Sequence, residues 1–265
     1  MSVLTNDYEQ LEERIQVLSE NWSNQLEVEA LTNADVISGL KQYPIIPQLD
    51  LTINLDKFKS FILELSHLLK EHQPAVTDDI NKIESTLSDE VLQRWSKEAI
   101  AVNIYYFEQY AQDLEVEDWL GLFLAEHAVR PFLRKISSEV KETIKEVDSC
   151  TGCPTCGEPA RLAVISKSGK KELTCPRCDF TWEEKKISCA HCKTEEHADL
   201  EILTIEGDEK TQIHVCHKCN GYTKVIDVRR MIKKESPQLL DIKTIHLDYI
   251  AQENGYGITE GKDTH

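Results

Sequence analysis

Apolar residues in the first half of the chain recur at spacings of three and four. Tyr8, Leu11, Ile15, Leu18 and Trp22 therefore fall on one helix face. Pro44 and Pro47 interrupt the pattern. Phe58, Phe61, Ile62, Leu65, Leu68 and Leu69 form a second stripe, and Leu92, Trp95, Ile100, Ile104 and Phe107 continue it. Thr77-Asp78-Asp79 and Ser88-Asp89-Glu90 read as helix starts, with a capping side chain followed by acids placed against the helix dipole. A last long segment begins near Glu117 and carries Leu120, Phe123, Leu124, Val129, Phe132, Leu133, Ile136, Val140 and Ile144; Pro131 is expected to kink it or to begin a new helix. These stripes predict a helical bundle with an apolar core over residues 1–148.

From about residue 149 the helical period stops. Arg161–Ser166 and Lys171–Thr174 flank Lys167-Ser168-Gly169-Lys170, which reads as a hairpin. Phe180-Thr181-Trp182 follows. Leu200–Ile205 and Thr211–Val215 flank Glu206-Gly207-Asp208-Glu209, a second hairpin. Residues 221–265 resume a helical reading, with Leu239, Leu240, Ile242, Ile245, Leu247 and Ile250 after Pro237, and the Gly-rich end from Asn254 is expected to fray.

Cysteines decide what the hairpins are for. Four Cys-x-x-Cys pairs lie in this stretch: Cys153/Cys156, Cys175/Cys178, Cys189/Cys192 and Cys216/Cys219. Two cysteines spaced i, i+3 on a tight turn chelate one tetrahedral ion edge-on, and two such turns close the site. The order is pair, hairpin, pair, twice over. The intervals are 18 residues from Cys156 to Cys175 and 23 from Cys192 to Cys216. Four-cysteine ribbon sites use such spacings.

The hairpins favour pairing of successive turns over the crossed alternative. Gly157, Asp179 and Asn220 stand one position after three of the pairs, where the chain turns through positive φ; Lys193 holds that place in the third and makes it the weakest turn. His191, His197, His214 and His217 read as ordinary surface histidines, since four thiols are already present per site. A ninth cysteine, Cys150, is extra. A redox dithiol would need a strand–helix unit that the pattern lacks. The expectation is two metal ions, iron or zinc, each bound by four cysteines; both metals accept this donor set. Modules of this size have cores too small to fold without the ion.

Charge narrows the function. The formal net charge is −17, and residues 1–150 hold 28 acidic and 13 basic side chains. A nucleic-acid surface needs the opposite sign. Lys167, Lys170, Lys171, Lys185 and Lys186 make a modest basic patch, read here as solvated surface. No apolar run approaches bilayer length, and the N-terminus has no secretory features, so membrane insertion is not expected and the location read is cytoplasmic. Neither a nucleophile–base constellation nor a phosphate-binding glycine loop stands out, so no enzyme is expected. The fold class expected is α plus small β: residues 1–148 helical, 149–186 and 187–225 as two tandem rubredoxin-like or zinc-ribbon modules, and 226–265 a C-terminal helical segment.

From about Ala128 to Gly257 the chain resembles the formate dehydrogenase accessory protein family, FdhE. The resemblance rests on Ala128-Val129-Arg130-Pro131-Phe132-Leu133, on Cys153-Pro154-Thr155-Cys156-Gly157-Glu158-Pro159-Ala160 and on Leu173-Thr174-Cys175-Pro176-Arg177-Cys178. It continues through Ser188-Cys189-Ala190-His191-Cys192 and the run from Val215 to Lys224, and closes with the tail from Asp241 to Tyr256. The third turn lacks the Pro and Gly common in the family, and the first hundred residues offer no matching motif. The resemblance implies a cytoplasmic, non-catalytic maturation factor with a helical N-terminal domain and two iron-binding rubredoxin-like modules. It would contact the catalytic subunit of a formate dehydrogenase and be needed for that enzyme's activity. The competing expectations are a rubredoxin-like electron carrier and a zinc-ribbon nucleic-acid-binding protein.

Overall fold

The computed structural model of the protein describes residues 6–27, 43–49, 51–141, 144, 151–231 and 235–257. Its described residues fall into two compact units, 6–27 with 47–139 and 43–46 with 140–257. The first is helical. Its helices are α1 (Asn6–Gln25), α2 (Leu55–His72), α3 (Thr77–Thr86), α4 (Asp89–Ile100), α5 (Ile104–Leu114) and α6 (Asp118–Val140).

Local chemistry sets the helix ends. Asn54, Ser88 and Asn103 each accept a hydrogen bond from the backbone N–H three residues on, which satisfies a donor that has no partner within the first turn. α2 packs against α3 and α4, and Phe58, Phe61, Ile62 and Leu65 of α2, Ile80 and Ile83 of α3 and Leu92 and Trp95 of α4 are all essentially buried. Trp95 stands edge-on to Phe107 and Tyr110, with ring centroids 5.6 and 5.1 Å apart. Gly121 of α6 faces these three rings, where a Cβ would make ordinary contact at 3.4–3.8 Å.

Three expectations change here. Ile104 is exposed, because it opens α5 at a helix corner. α6 continues through Pro131, so no new helix begins there. The buried face of α1 includes Glu12, Gln16 and Ser19 beside Leu11 and Ile15, while Tyr8 is exposed. That polar stripe exists because Arg134 of α6 reaches α1 and donates to Ser19 Oγ at 2.7 Å.

The second unit is built on one six-stranded sheet in the order β3-β2-β1-β6-β5-β4. The strands are β1 (Leu162–Ile165), β2 (Lys171–Thr174), β3 (Thr181–Glu184), β4 (Leu200–Ile205), β5 (Asp208–Cys216) and β6 (Tyr222–Asp227). Both expected hairpins are present, and Gly169 and Gly207 occupy positive φ in their turns. The two modules share the sheet through β1 and β6, which pair in parallel from Leu162↔Lys224 to Ile165↔Asp227.

The helical reading from residue 221 is therefore corrected: 222–227 is a strand with a nearly continuous buried pattern, as expected for a central strand. The C-terminal helical segment is two helices, α7 (Pro237–Lys243) and α8 (Ile245–Glu253), the first capped by Ser236 ahead of Pro237. Leu247 and Ala251 of α8 pack on Ile213, Val215 and Tyr222, and Leu240 of α7 packs on Leu162 and Ile226. Beyond α8 the chain is held as far as Gly257, whose N–H donates to Asn220 O at 2.8 Å; the rest of the tail expected to fray, 258–265, lies outside the described residues. Among the described residues, no helix is long and apolar enough to cross a membrane.

Candidate metal centres

Each Cys-x-x-Cys pair sits on the same backbone turn. The N–H of the first cysteine donates to the carbonyl five residues on: Cys153 to Glu158, Cys175 to Phe180, Cys189 to Thr194 and Cys216 to Gly221, at 2.7–3.0 Å. Closing that ring forces the residue after the second cysteine into the left-handed region. Gly157, Asp179, Lys193 and Asn220 are there, at φ of 85°, 60°, 57° and 56°. Glycine, aspartate and asparagine tolerate this conformation and lysine does so at a cost. Gly221 answers a different need: a Cβ on it would lie 2.7 Å from the His191 ring.

The turns meet in sequential pairs. Cys153, Cys156, Cys175 and Cys178 form one set and Cys189, Cys192, Cys216 and Cys219 the other, and within each set the four sulfurs lie within 4.8 Å of one another. Cys153 Sγ is 3.5 Å from Cys178 Sγ, and Cys156 is 3.5 Å from Cys175. In the second set Cys189 is 3.6 Å from Cys219, and Cys192 is 3.7 Å from Cys216. All eight are free thiols. A tetrahedral ion with metal–sulfur bonds of about 2.3 Å spaces its sulfurs about 3.8 Å apart. The donor chemistry and the spacing both fit one thiophilic ion per set.

The surroundings favour charged sulfur in part. Hydrogen bonds from Cys153, Cys175 and Cys178 hold the Cys156 thiol well below its usual pKa, whereas burial pushes Cys153 and Cys178 well above theirs. Burial also raises Cys189 to about 11. A bound divalent cation reverses that penalty and keeps all four sulfurs ionised. Cys189 Sγ further accepts the backbone N–H groups of His191 and Cys192, both at 3.4 Å.

One histidine and one lysine nearby depart from expectation, while His197 and His217 are exposed as expected. His191 is buried, not on the surface, and its Nε2 lies 2.8 Å from Tyr222 O. Burial lowers the pKa of His214 to about 4, with Lys171 adding to the effect. Neither ring belongs to a thiol set. Lys171 is 2% exposed, which removes it from the solvated patch; its ammonium donates to Ser188 O, next to Cys189. Cys150 lies outside the described residues.

A buried polar network went unread in the sequence. Lys224 of β6 lies 2.7 Å from the carboxylates of both Asp241 and Asp248. Arg161 joins Asp241 at 2.9 Å and also pairs with Glu158, two residues past Cys156. Tyr222 Oη donates to Asp248 at 2.8 Å. The network ties the segment after the first turn to the strand after the fourth. Its one legible signal is Lys224 at the inward position between Tyr222 and Ile226.

No family model matches the chain. Over 208 residues it is 26% identical to the protein FdhE homolog of Aquifex aeolicus (strain VF5), a match that covers 77% of this chain and 68% of that relative. It is 30% identical over 118 residues to the protein FdhE homolog of Stutzerimonas stutzeri (strain A1501), covering 43% of this chain and 38% of the relative. For the FdhE homolog of Pseudomonas aeruginosa the figures are 31% over 124 residues, 43% and 39%. The matched segment thus spans well under half the length of the last two. The crystal structure of the FdhE protein from Pseudomonas aeruginosa superposes with a TM-score of 0.46 at 15% identity, covering 78% of this chain and 94% of that one.

Proposed function

We propose that the chain is a member of the FdhE family and, as such, a non-catalytic, metal-binding accessory protein that contacts the catalytic subunit of a formate dehydrogenase and is needed for its activity. In this reading it works in the cytoplasm. The eight cysteines, Cys153, Cys156, Cys175, Cys178, Cys189, Cys192, Cys216 and Cys219, are ligands of two iron or zinc ions.

The observation that carries the reading is the completeness of each thiol set. Four protein sulfurs fill a tetrahedron, so neither ion keeps the open position that metal-assisted catalysis requires. Such sites hold a shape, and the shape they hold is a sheet surface next to two C-terminal helices, suited to contact with another protein. The acidic balance of residues 1–150 speaks against nucleic acid as the partner.

The test is anaerobic purification of the tagged full chain from its native cell, followed by mass spectrometry of what accompanies it. Recovery of a formate dehydrogenase catalytic subunit, lost when Cys175 and Cys178 are both changed to Ser, supports the proposal. A preparation free of any oxidoreductase subunit overturns it.

A further inference from the structure

The two thiol sets differ in how they are enclosed. All four cysteines of the first are buried. Its first turn is gripped from outside by a strap far away in sequence: the N–H groups of Ile45 and Ile46 donate to Pro154 O and Thr155 O at 3.0 and 2.8 Å, and both isoleucines are 2% exposed. The Pro44 ring lies over Gly157, 3.1 Å from where a Cβ would stand. Its second turn is gripped by Gln238 of α7, whose side-chain amide donates to Pro176 O and to Asp179 Oδ1, the latter at 2.6 Å. These bonds hold from outside the two turns that carry the first set's sulfurs.

The second set is open along one edge. Cys189 and Cys216 are buried, but Cys192 and Cys219 are partly exposed and belong to different turns. The tail holds the fourth turn through Gly257 and Asn220. The third turn has the strained member of the four, Lys193 at φ 57°. Exposure and strain thus coincide on the Cys192 side.

We propose that the two sites divide their work: the first is a sealed staple, and the second is an exchange site that presents its Cys192–Cys219 edge to thiophilic divalent cations. The inference rests on the metal-binding reading above and adds a role for each set. Exchange here is ligand substitution. The Cys192 or Cys219 sulfur gives up its bond as an incoming donor makes its own; the freed thiolate takes a proton from water, and no electrons change hands.

Native mass spectrometry of the full chain, with cadmium as the probe and a pulse of iodoacetamide to map free sulfur, tests this. One ion is expected to exchange at least about tenfold faster than the other, with alkylation first at Cys192 and Cys219. Gln238→Ala should speed exchange at the first site by about 10–100-fold and leave the second unchanged. Equal exchange at the two sites, early alkylation of Cys153, Cys156, Cys175 or Cys178, or a silent Gln238→Ala overturns the division alone. A protein isolated without bound metal and unable to take up cadmium overturns the metal reading, and this proposal with it.

Discussion

Lys224 on β6 lies 2.7 Å from Asp248 on α8 with its ammonium 1% exposed, which makes it the buried charge on which the C-terminal helices are seated. Asp241 on α7 takes the same ammonium from the other side, so one lysine joins a central strand to two helices. Lys224→Met leaves the half-buried Asp248 beside Tyr222 without its cation. A loss of about 3–5 kcal/mol is expected for a buried pair broken on one side, read by urea unfolding. Adding Asp248→Asn to Lys224→Met should recover part of it. A single variant as stable as the parent would show that the network contributes nothing.

His127 makes the helical unit sensitive to acid. Burial holds its pKa well below the usual histidine range, with Arg130 pushing the same way, and its Nδ1 sits 2.9 Å from Phe123 O. The folded state keeps the ring neutral, while the unfolded chain binds a proton near the ordinary value of about 6.5. Because the unfolded state binds more protons below that point, stability is full above about pH 6.5 and declines as the pH falls. His127→Gln should flatten the decline in unfolding free energy between about pH 6.5 and 4.5. Identical pH profiles for the two proteins would reject the assignment.

Cys175→Ser or removal of metal by a chelator should loosen the sheet unit and spare the helical one. Structural zinc supplies about 10–16 kcal/mol in small metal-folded domains. Because β1 and β6 pair directly, the loss should spread past the first module. Hydrogen exchange is expected to rise in β1, β2 and β6, with α2 and α4 unchanged. Protection lost in β1, β2 and β3 with β6 unchanged would mean the modules fold independently.

Val102 adopts φ 53° at the corner between α4 and α5, a conformation that a β-branched residue takes only under strain, and it is 42% exposed there. Val102→Gly should stabilise the helical unit by about 1 kcal/mol, since relief of the left-handed backbone exceeds the small apolar area lost. Thermal unfolding measures this; a lower midpoint would sink the argument.

The thiol sites were legible because their determinants are local. A turn that ends in Gly157, Asp179 or Asn220 announces its positive φ in one residue, and the hairpin between two turns leaves sequential pairing as the short path. What escaped depends on residues far apart. β6 falls where the sequence reads as helix, and its buried Lys224 makes sense only once Asp241 and Asp248 are placed beside it. Lys171 looked like a surface lysine because its partner, Ser188 O, comes from the next module. Ile45 and Ile46, caught between two prolines, gave no period at all, yet their backbone seals the first site. Glu12 and Ser19 lie outside the apolar stripe of α1 yet are buried, Ser19 against Arg134.

The parallel pairing of β1 with β6 also fixes an order of events during synthesis. β1 is made first and needs, on one side, a strand that leaves the ribosome only after Asp227. At about 5–20 residues per second the wait lasts several seconds. Through that interval the early hairpin carries an open inner edge, and such edges recruit other strands. The nascent chain is therefore most vulnerable between its two thiol sets, when the first has all four sulfurs and the second has not yet been translated.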